Sequence, residues 1–167
     1  MDQEALKRLQ APLKEQYKAD PGAALITLKA TSRIGEGLTC SVETGKAMVR
    51  AGLHPATGGD GLSACSGDML LESLAACAGV TLNAVATATG FKLNDAVVHT
   101  EGDLDFKGTL SVDKQSPVGF KQIRLRFEID TDEPREKLDN LIRLTERYCV
   151  VYQTLLRANA IQVANPG

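Results

Sequence analysis

The chain has 167 residues, of which 43% are hydrophobic and 24% are charged, and its formal net charge is -2 at pH 7. This length and composition predict one soluble domain, residues 1–167, with one hydrophobic core. The small net charge gives no reason to expect a nucleic-acid or membrane partner. Residues 1–14 are charged and amphipathic and lack the pattern of a signal peptide, so we expect a cytoplasmic protein.

The N-terminal part of the chain carries one helix signal and then strand signals. Residues 2–19 place apolar side chains at helical spacing around Pro12, which predicts a kinked or broken helix within an N-terminal extension, residues 1–22. The segment Glu43-Thr44-Gly45 is typical of a hairpin turn between β-forming stretches. We therefore expect three antiparallel strands. They are residues 24–31, 38–42 and 46–50.

The most apolar element is a helix in the middle of the chain. Residues 55–64 form a loop dense in turn residues, after which a helix begins near Asp68 and ends at Gly90. Apolar residues lie on nearly every side of it, which is typical of a helix buried centrally in a domain or a dimer. Because Glu72 and several hydroxyl residues interrupt the stretch 69–91, we interpret it as a buried helix and not as a membrane span.

The C-terminal half predicts two long strands, two helices and a closing strand. In the second long strand apolar residues alternate with charged ones, which is typical of a sheet with one solvated face. The strands are residues 94–106 and 120–130, the helices span 131–148 and 149–159, and the closing strand is 161–163. The resulting order, (α)βββ-α-ββ-αα-β, predicts an α+β fold.

Four cysteines are the residues most suited to chemistry: Cys40, Cys65, Cys77 and Cys149. They form no CxxC pair, and the chain has only two histidines, so the spacing is not that of a metal site. In a reducing compartment, a disulfide between two of them would be transient and catalytic. Each cysteine alone is equally explained as a small core residue, so the spacing permits a redox pair without requiring one.

A reactive thiol must ionise, and a free thiol with a pKa of about 8.5 is only a few per cent thiolate at neutral pH. Cys77 lies in the middle of the apolar helix, with Ser73 and Thr81 on the same face. The cation that we favour is Arg33, in the segment Ser32-Arg33-Ile34-Gly35 between two strands, because a fixed guanidinium would stabilise a thiolate. Three other arginines could supply this cation in place of Arg33: Arg50, Arg147 and Arg157.

Five motifs in order resemble the OsmC/Ohr family, which comprises osmotically inducible protein C and organic hydroperoxide resistance protein. The resemblance spans residues 25–163, and it is the ordered set that is specific. The motifs are GGDG at 58–61, LLESLAAC at 70–77, GDLDFKG at 102–108, GFKQI at 119–123 and ERYCVVYQTL at 146–155.

This resemblance implies an OsmC-like fold, with antiparallel sheets wrapped around long central helices, in an intertwined homodimer whose active sites lie where the subunits meet. Cys77 matches the family's peroxidatic cysteine and Cys149 matches the resolving one. Cys77 would attack an organic hydroperoxide, and Cys149 would close a disulfide that a dithiol reductant reopens. Arg33 matches the active-site arginine, and Asp68 is nearest to the carboxylate that steadies it. No cofactor is implied: neither a metal, nor a flavin, nor haem.

Two segments depart from the family pattern. Cys65-Ser66-Gly67-Asp68 stands in place of Asn-Pro-Glu, and Val150 replaces the proline that commonly follows the second cysteine. We interpret Cys40 as a packing residue and Cys65 as inert, unless the turn before Asp68 folds back toward Cys77. Two other functions remain open: a protein of the same fold that senses oxidants or binds electrophiles without turnover, and a dimer whose cysteines only pack.

Overall fold

The computed structural model describes residues 2–19, 31–34, 39–43, 48–111, 113–157 and 159–164. The mixture of helices and antiparallel strands along these residues confirms the predicted α+β class. The elements in chain order are α1 (Gln3–Ala19), β1 (Thr31–Ile34), β2 (Thr39–Glu43), β3 (Met48–Gly52), β4 (Ala64–Cys65), α2 (Ser66–Thr89), β5 (Asp95–Leu104), α3 (Phe106–Thr109), β6 (Phe120–Asp130), α4 (Arg135–Tyr148) and α5 (Val150–Leu155).

The first sheet has the strand order β1-β2-β3-β4. Strands β1, β2 and β3 are antiparallel neighbours, as predicted, while β4 pairs parallel to β3 through Ala51 opposite Ala64. The two-residue strand β4 is too short to produce a sequence pattern, so it was not predicted. Most of the strand predicted at residues 24–31, and the turn residues Thr44 and Gly45, lie outside the described residues.

The helix α1 is continuous, so of the two predicted alternatives, a kinked or a broken helix, the broken one is wrong. A proline removes one backbone hydrogen bond, and the remaining bonds of a 17-residue helix hold the helix together across that gap. Asp2 caps the start of α1, since its Oδ1 accepts the Ala5 N–H at 2.7 Å. At the same end, the Gln3 Nε2 donates to the Ala88 carbonyl at 2.9 Å and joins α1 to the last turn of α2.

The helix α2 buries one stripe of side chains and leaves the opposite side of the helix open in the single chain. The stripe recurs every fourth residue, which keeps it on one face of the helix: Leu74, Ala78, Leu82 and Ala86. On the other side, Val80 is 73% exposed. Gly90 ends α2 in the left-handed conformation, with φ +70°, and its N–H donates to the carbonyls of Ala86 and Thr87.

By length and composition alone, α2 could cross a membrane. The central helix of a soluble protein has the same features, so they do not separate the two cases.

The second sheet is the antiparallel pair of β5 and β6, which covers the buried stripe of α2. Its inner face carries apolar side chains, among them Val98, Leu125 and Phe127. Its outer face carries charges, such as Arg124, whose Nη2 donates to Asp103 Oδ1 at 2.9 Å. The alternation in β6 predicted a sheet with one solvent-exposed face and one buried face, and the structure confirms this prediction.

The closing strand predicted at residues 161–163 is not found in the single chain. Ile161 and Val163 are almost fully exposed, and no strand lies beside them in the described part of the chain. A β-forming segment needs a neighbouring strand for its backbone hydrogen bonds, and here it has none.

The core consists of two clusters along α2. One cluster joins Leu82, Ala86 and Leu141 of α4, and the other joins Leu74 and Ala78 to Cys149, at the junction between α4 and α5. The second cluster therefore places a cysteine from the end of the chain against the middle of the central helix.

The first prediction concerns the core. Leu82→Ala should lower the free energy of unfolding by about 2–5 kcal/mol, because it removes a side chain that is only 2% exposed and leaves a cavity. Urea denaturation followed by circular dichroism measures this loss. The matched control is Leu62→Ala, whose side chain is 86% exposed and whose effect should stay within about 0.5 kcal/mol. Equal effects of the two substitutions would contradict this description of the core.

Candidate active site

The structure brings Cys77 and Cys149 together although 71 residues separate them along the chain. Cys77 lies in the middle of α2 and is partly exposed, whereas Cys149 is fully buried against Leu74 and Ala78. Both cysteines are free thiols, and Cys77 packs against the cluster that contains Cys149. The pair chosen from the sequence therefore forms a contact within one chain.

Cys149 reaches this position because the backbone departs from helical geometry at that one residue. Its φ of -71° and ψ of 107° are extended, so it ends α4 and begins α5. The Cys149 N–H donates to the Thr145 carbonyl at 2.9 Å, and the Cys149 carbonyl accepts the Gln153 N–H at 3.0 Å. These two bonds satisfy both backbone groups at the junction. The side chain of Cys149 is thereby turned into the core.

The surroundings of Cys77 favour its thiolate. Burial on its own would raise the pKa of Cys77, but four hydrogen bonds to its sulfur outweigh burial and hold the pKa below the usual thiol value. The strongest comes from the backbone N–H of Val151, and the others come from the Cys149 thiol, the backbone N–H of Val150 and the Thr81 hydroxyl. Cys77 is therefore the more easily ionised member of the pair.

The surroundings of Cys149 act in the opposite direction. Burial raises the pKa of Cys149, and the neighbouring Cys77 raises it further, while the N–H groups of Tyr152 and Val151 lower it only in part. Of the two thiols, Cys77 therefore ionises first, beside a Cys149 thiol that stays protonated to higher pH. This asymmetry suits a nucleophile beside a thiol that reacts later.

Of the two other residues predicted for the site, Asp68 lies away from Cys77, and the structure describes only the backbone of Arg33. Arg33 lies in β1 opposite Ser41, and its side chain lies outside the described part of the chain. Asp68 lies in the first turn of α2, nine residues before Cys77, which is about 13.5 Å along the helix axis and on the opposite side of the helix. The roles of Arg33 and Asp68 remain predictions.

The three arginines considered in place of Arg33 lie in surroundings that do not include Cys77 among their described partners. Arg50 lies in β3, the Arg147 guanidinium stacks 5.6 Å from the ring centre of Tyr148, and the Arg157 Nη2 donates to the Gln153 side chain at 3.1 Å. Within the described residues, the groups that lower the pKa of Cys77 are backbone N–H groups, a thiol and a hydroxyl, without an arginine.

Cys65 and the two histidines lie apart from the pair. Cys65 directly precedes α2, so its turn does not fold back, and the helix rise keeps it about 18 Å from Cys77 along the axis. The side chain of Cys40 lies outside the described part of the chain. The ring of His54 stacks on Phe106, and His99 faces Glu128 on the outer side of β5 and β6.

Some groups at the site were missed by sequence reasoning. The N–H groups of Val150 and Val151 give no signal in the sequence, because every residue except proline carries one. Thr81 did give a signal, since its spacing of four residues places it on the same face of α2 as Cys77. Tyr152 gave none, because its contact with the cysteine cluster depends on the break between α4 and α5.

A cleft of about 430 Å³ lies beside the cysteine cluster. Four of its lining residues belong to the cluster that contains Cys149 or pack against it: Leu74, Ile123, Leu125 and Tyr152. Polar residues complete the lining: Lys121, Gln122 and Glu146. A cleft that combines apolar walls with a few polar groups can take a small organic molecule.

The second prediction tests the backbone donors. Val150→Pro should raise the pKa of Cys77 and slow its alkylation at neutral pH by about two- to tenfold, because proline lacks the N–H that donates to the sulfur. The substitution suits the fold, since Val150 is the first residue of α5 and Cys149 already has the extended backbone that precedes proline. The pH profile of iodoacetamide alkylation measures the shift. Val150→Ala keeps the N–H and should leave the profile unchanged; the same profile for both variants would exclude this donor.

Solved structures show which fold this is. An OsmC-like protein from Mycoplasma pneumoniae is 18% identical to this chain, with a TM-score of 0.67 over 78% of this chain and 88% of that one. An organic hydroperoxide resistance protein from Elizabethkingia anophelis is 19% identical, with a TM-score of 0.62 over 81% and 91% of the two chains. An organic hydroperoxide resistance protein OsmC from Legionella pneumophila is 20% identical, with a TM-score of 0.61 over 78% and 90%.

These similarities confirm the OsmC-like fold. No curated protein sequence matches the chain. Residues 58–164 match the family model described as OsmC-like protein, a span that includes α2, Cys77 and Cys149. The resemblance seen in the sequence motifs is thus confirmed, and the chain belongs to the family of OsmC-like proteins.

Proposed function

We propose that this protein is a thiol-dependent peroxidase that reduces organic hydroperoxides through Cys77 and Cys149. The observation that carries the proposal is the contact between a partly exposed cysteine with a lowered pKa and a buried cysteine with a raised pKa. Membership of a family with members named organic hydroperoxide resistance protein indicates a role in redox chemistry or peroxide defence. The proposal extends that role to a mechanism and a cytoplasmic setting.

In the first step, the Cys77 thiolate attacks the terminal oxygen of the hydroperoxide. An S–O bond forms, the O–O bond breaks, and the alkoxide leaves with the electron pair and takes up a proton to become an alcohol. Cys77 is left as a sulfenic acid and has lost two electrons. The N–H groups of Val150 and Val151 and the Thr81 hydroxyl hold the sulfur as thiolate for this attack.

In the second step, the Cys149 sulfur attacks the Cys77 sulfenic acid. An S–S bond forms, the S–O bond breaks, and the hydroxide leaves with the Cys149 proton as water. Cys149 is already in contact with Cys77, so the step needs no approach from solution. A dithiol reductant then supplies two electrons and restores the two thiols.

We also propose that two copies of the chain form a homodimer through the open side of α2. The single chain leaves Val80 73% exposed in the middle of its most apolar helix, and Leu70 is also exposed on that helix. Apolar side chains of this size on one helix face favour burial against another surface. The exposed Ile161 and Val163 would find a strand partner in the same assembly.

The third prediction tests the thiol chemistry. Adding cumene hydroperoxide to the reduced protein should remove two thiols, because Cys77 and Cys149 form a disulfide. Cys77→Ser should abolish the reaction, whereas Cys149→Ser should still react and stop at a sulfenic acid that dimedone labels. Thiol titration and mass spectrometry of the intact chain measure both outcomes.

The matched control is Cys65→Ser, which removes a partly exposed cysteine outside the pair and should change neither the rate nor the disulfide. Persistence of both thiols in excess hydroperoxide would refute the peroxidase. A disulfide that forms once, but that no dithiol reopens, would instead identify an oxidant sensor of the same fold.

The fourth prediction tests the dimer. Val80→Glu should weaken association by roughly a hundredfold or more, because an unpaired carboxylate buried in an apolar interface is strongly unfavourable. Sedimentation velocity at several protein concentrations measures the mass of the assembly. Val97→Glu changes an exposed valine on β5 and serves as the control that should leave the assembly unchanged. Wild-type protein that sediments as a single chain at all concentrations would contradict the proposal.

A further inference from the structure

The two sulfur atoms of the pair differ sharply in their accessibility. The side chain of Cys149 is 0% exposed, and it lies against Leu74 and Ala78, which are themselves 2% and 0% exposed. Cys77 is partly exposed, and it stands on α2 between this buried stripe and the open side of the helix that carries Val80. Solvent therefore reaches the residue Cys77 but does not reach Cys149.

This difference matters for the step that reopens a Cys77–Cys149 disulfide. A thiolate that opens a disulfide must reach one sulfur and expel the other, so the outcome depends on access and on the pKa of the leaving thiol. The leaving-group effect favours attack on Cys149, because Cys77 has the lower pKa and leaves more readily. Access favours attack on Cys77.

Access decides, because a path to Cys149 would have to displace Leu74 and Ala78 from the core. The cleft beside the cluster does not supply such a path, since Leu74, Leu125 and Tyr152 stand as its wall and Cys149 itself stays fully buried. The N–H groups of Tyr152 and Val151 offset only part of the burial that makes Cys149 the poorer leaving group.

We propose that the reductant opens the disulfide by attacking Sγ of Cys77, so that Cys149 stays in the core and forms no mixed disulfide. The inference rests on the proposed Cys77–Cys149 disulfide. In the first exchange, a reductant sulfur bonds to Cys77 Sγ, the protein S–S bond breaks, and Cys149 leaves as a thiolate that takes up a proton. In the second, the other thiol of the reductant loses its proton and attacks the first reductant sulfur, and Cys77 leaves as a thiolate. The reductant becomes a disulfide and the protein gains two electrons.

If the reductant attacks Cys77 first, it needs a second thiol to complete the reduction. After the first exchange, Cys149 lies beside the mixed disulfide on Cys77 and can expel the reductant by re-forming the original bond. A small dithiol completes the second exchange within one molecule before that reversal occurs. A monothiol has no such second group, so it is expelled by Cys149. Hydroperoxide and reductant therefore use the same opening at Cys77.

The experiment identifies which sulfur carries a monothiol. The disulfide is formed with diamide in a Cys65→Ser background, then exposed to excess 2-mercaptoethanol, quenched with acid over a time course and alkylated with N-ethylmaleimide after unfolding. Trypsin releases Cys77 in peptide 51–92 and Cys149 in peptide 148–157, so mass spectrometry separates them. We expect at least about tenfold more mercaptoethanol adduct on Cys77 than on Cys149. Equal amounts, or an excess on Cys149, would overturn the proposal.

Two variants of matched size isolate the contribution of burial. Leu74→Ala thins the wall over Cys149 and should raise the share of adduct on Cys149 several-fold. Leu82 is an equally buried leucine of the same helix, but it packs on Leu141 and not on Cys149. Leu82→Ala should therefore leave the share of adduct on Cys149 unchanged. The same share in both variants would mean that the wall over Cys149 does not direct the attack.

Diamide separates this inference from the peroxidase function. A disulfide that forms with diamide but not with hydroperoxide would refute the peroxidase and leave the choice of sulfur measurable. Absence of the disulfide with either oxidant would overturn both proposals.

Discussion

The candidate site depends on one break in helical geometry, at Cys149. If α4 and α5 were a single continuous helix, the N–H groups of Val150 and Val151 would be consumed by carbonyls four residues earlier. Because Cys149 is extended, these donors begin a new helix and remain available to the Cys77 sulfur. The same break turns the Cys149 side chain into the core. One backbone feature thus provides both the buried thiol and the donors that favour its partner's thiolate.

Activation of Cys77 in the described residues relies on dipoles and not on a full charge. Backbone N–H groups that are fixed by a helix need no reorganisation when the thiolate forms, and they stay in place while the sulfur reacts. Burial of Cys149 supplies the other half of the asymmetry, because it disfavours the second thiolate beside the first. The redox roles of the two cysteines therefore follow from packing around α2 as much as from the identity of the residues.

The parts of the fold that sequence predicted are those with a local period. The apolar run that became α2 and the alternation of β6 are local patterns, so they predict the α+β class without knowledge of contacts. The parts that sequence missed depend on distant contacts or on the backbone. The two-residue strand β4 requires β3 as its partner, and residues 161–163 carry a strand pattern but have no strand beside them among the residues that the structure describes. Of the site, the sequence and the family resemblance named both cysteines, and the helical spacing named Thr81, but neither named the backbone N–H groups of Val150 and Val151.

Val150 shows why a departure from a family pattern needs a structure before it can be interpreted. From the sequence, a valine where proline commonly stands indicated a less constrained backbone after Cys149. The structure shows a different consequence: the valine side chain is 71% exposed and packs little, while its N–H donates to Cys77. Proline at this position would fit the start of α5 but would lack that donor. In this chain the departure therefore adds a hydrogen bond to the thiolate, because the residue matters through its backbone and not through its side chain.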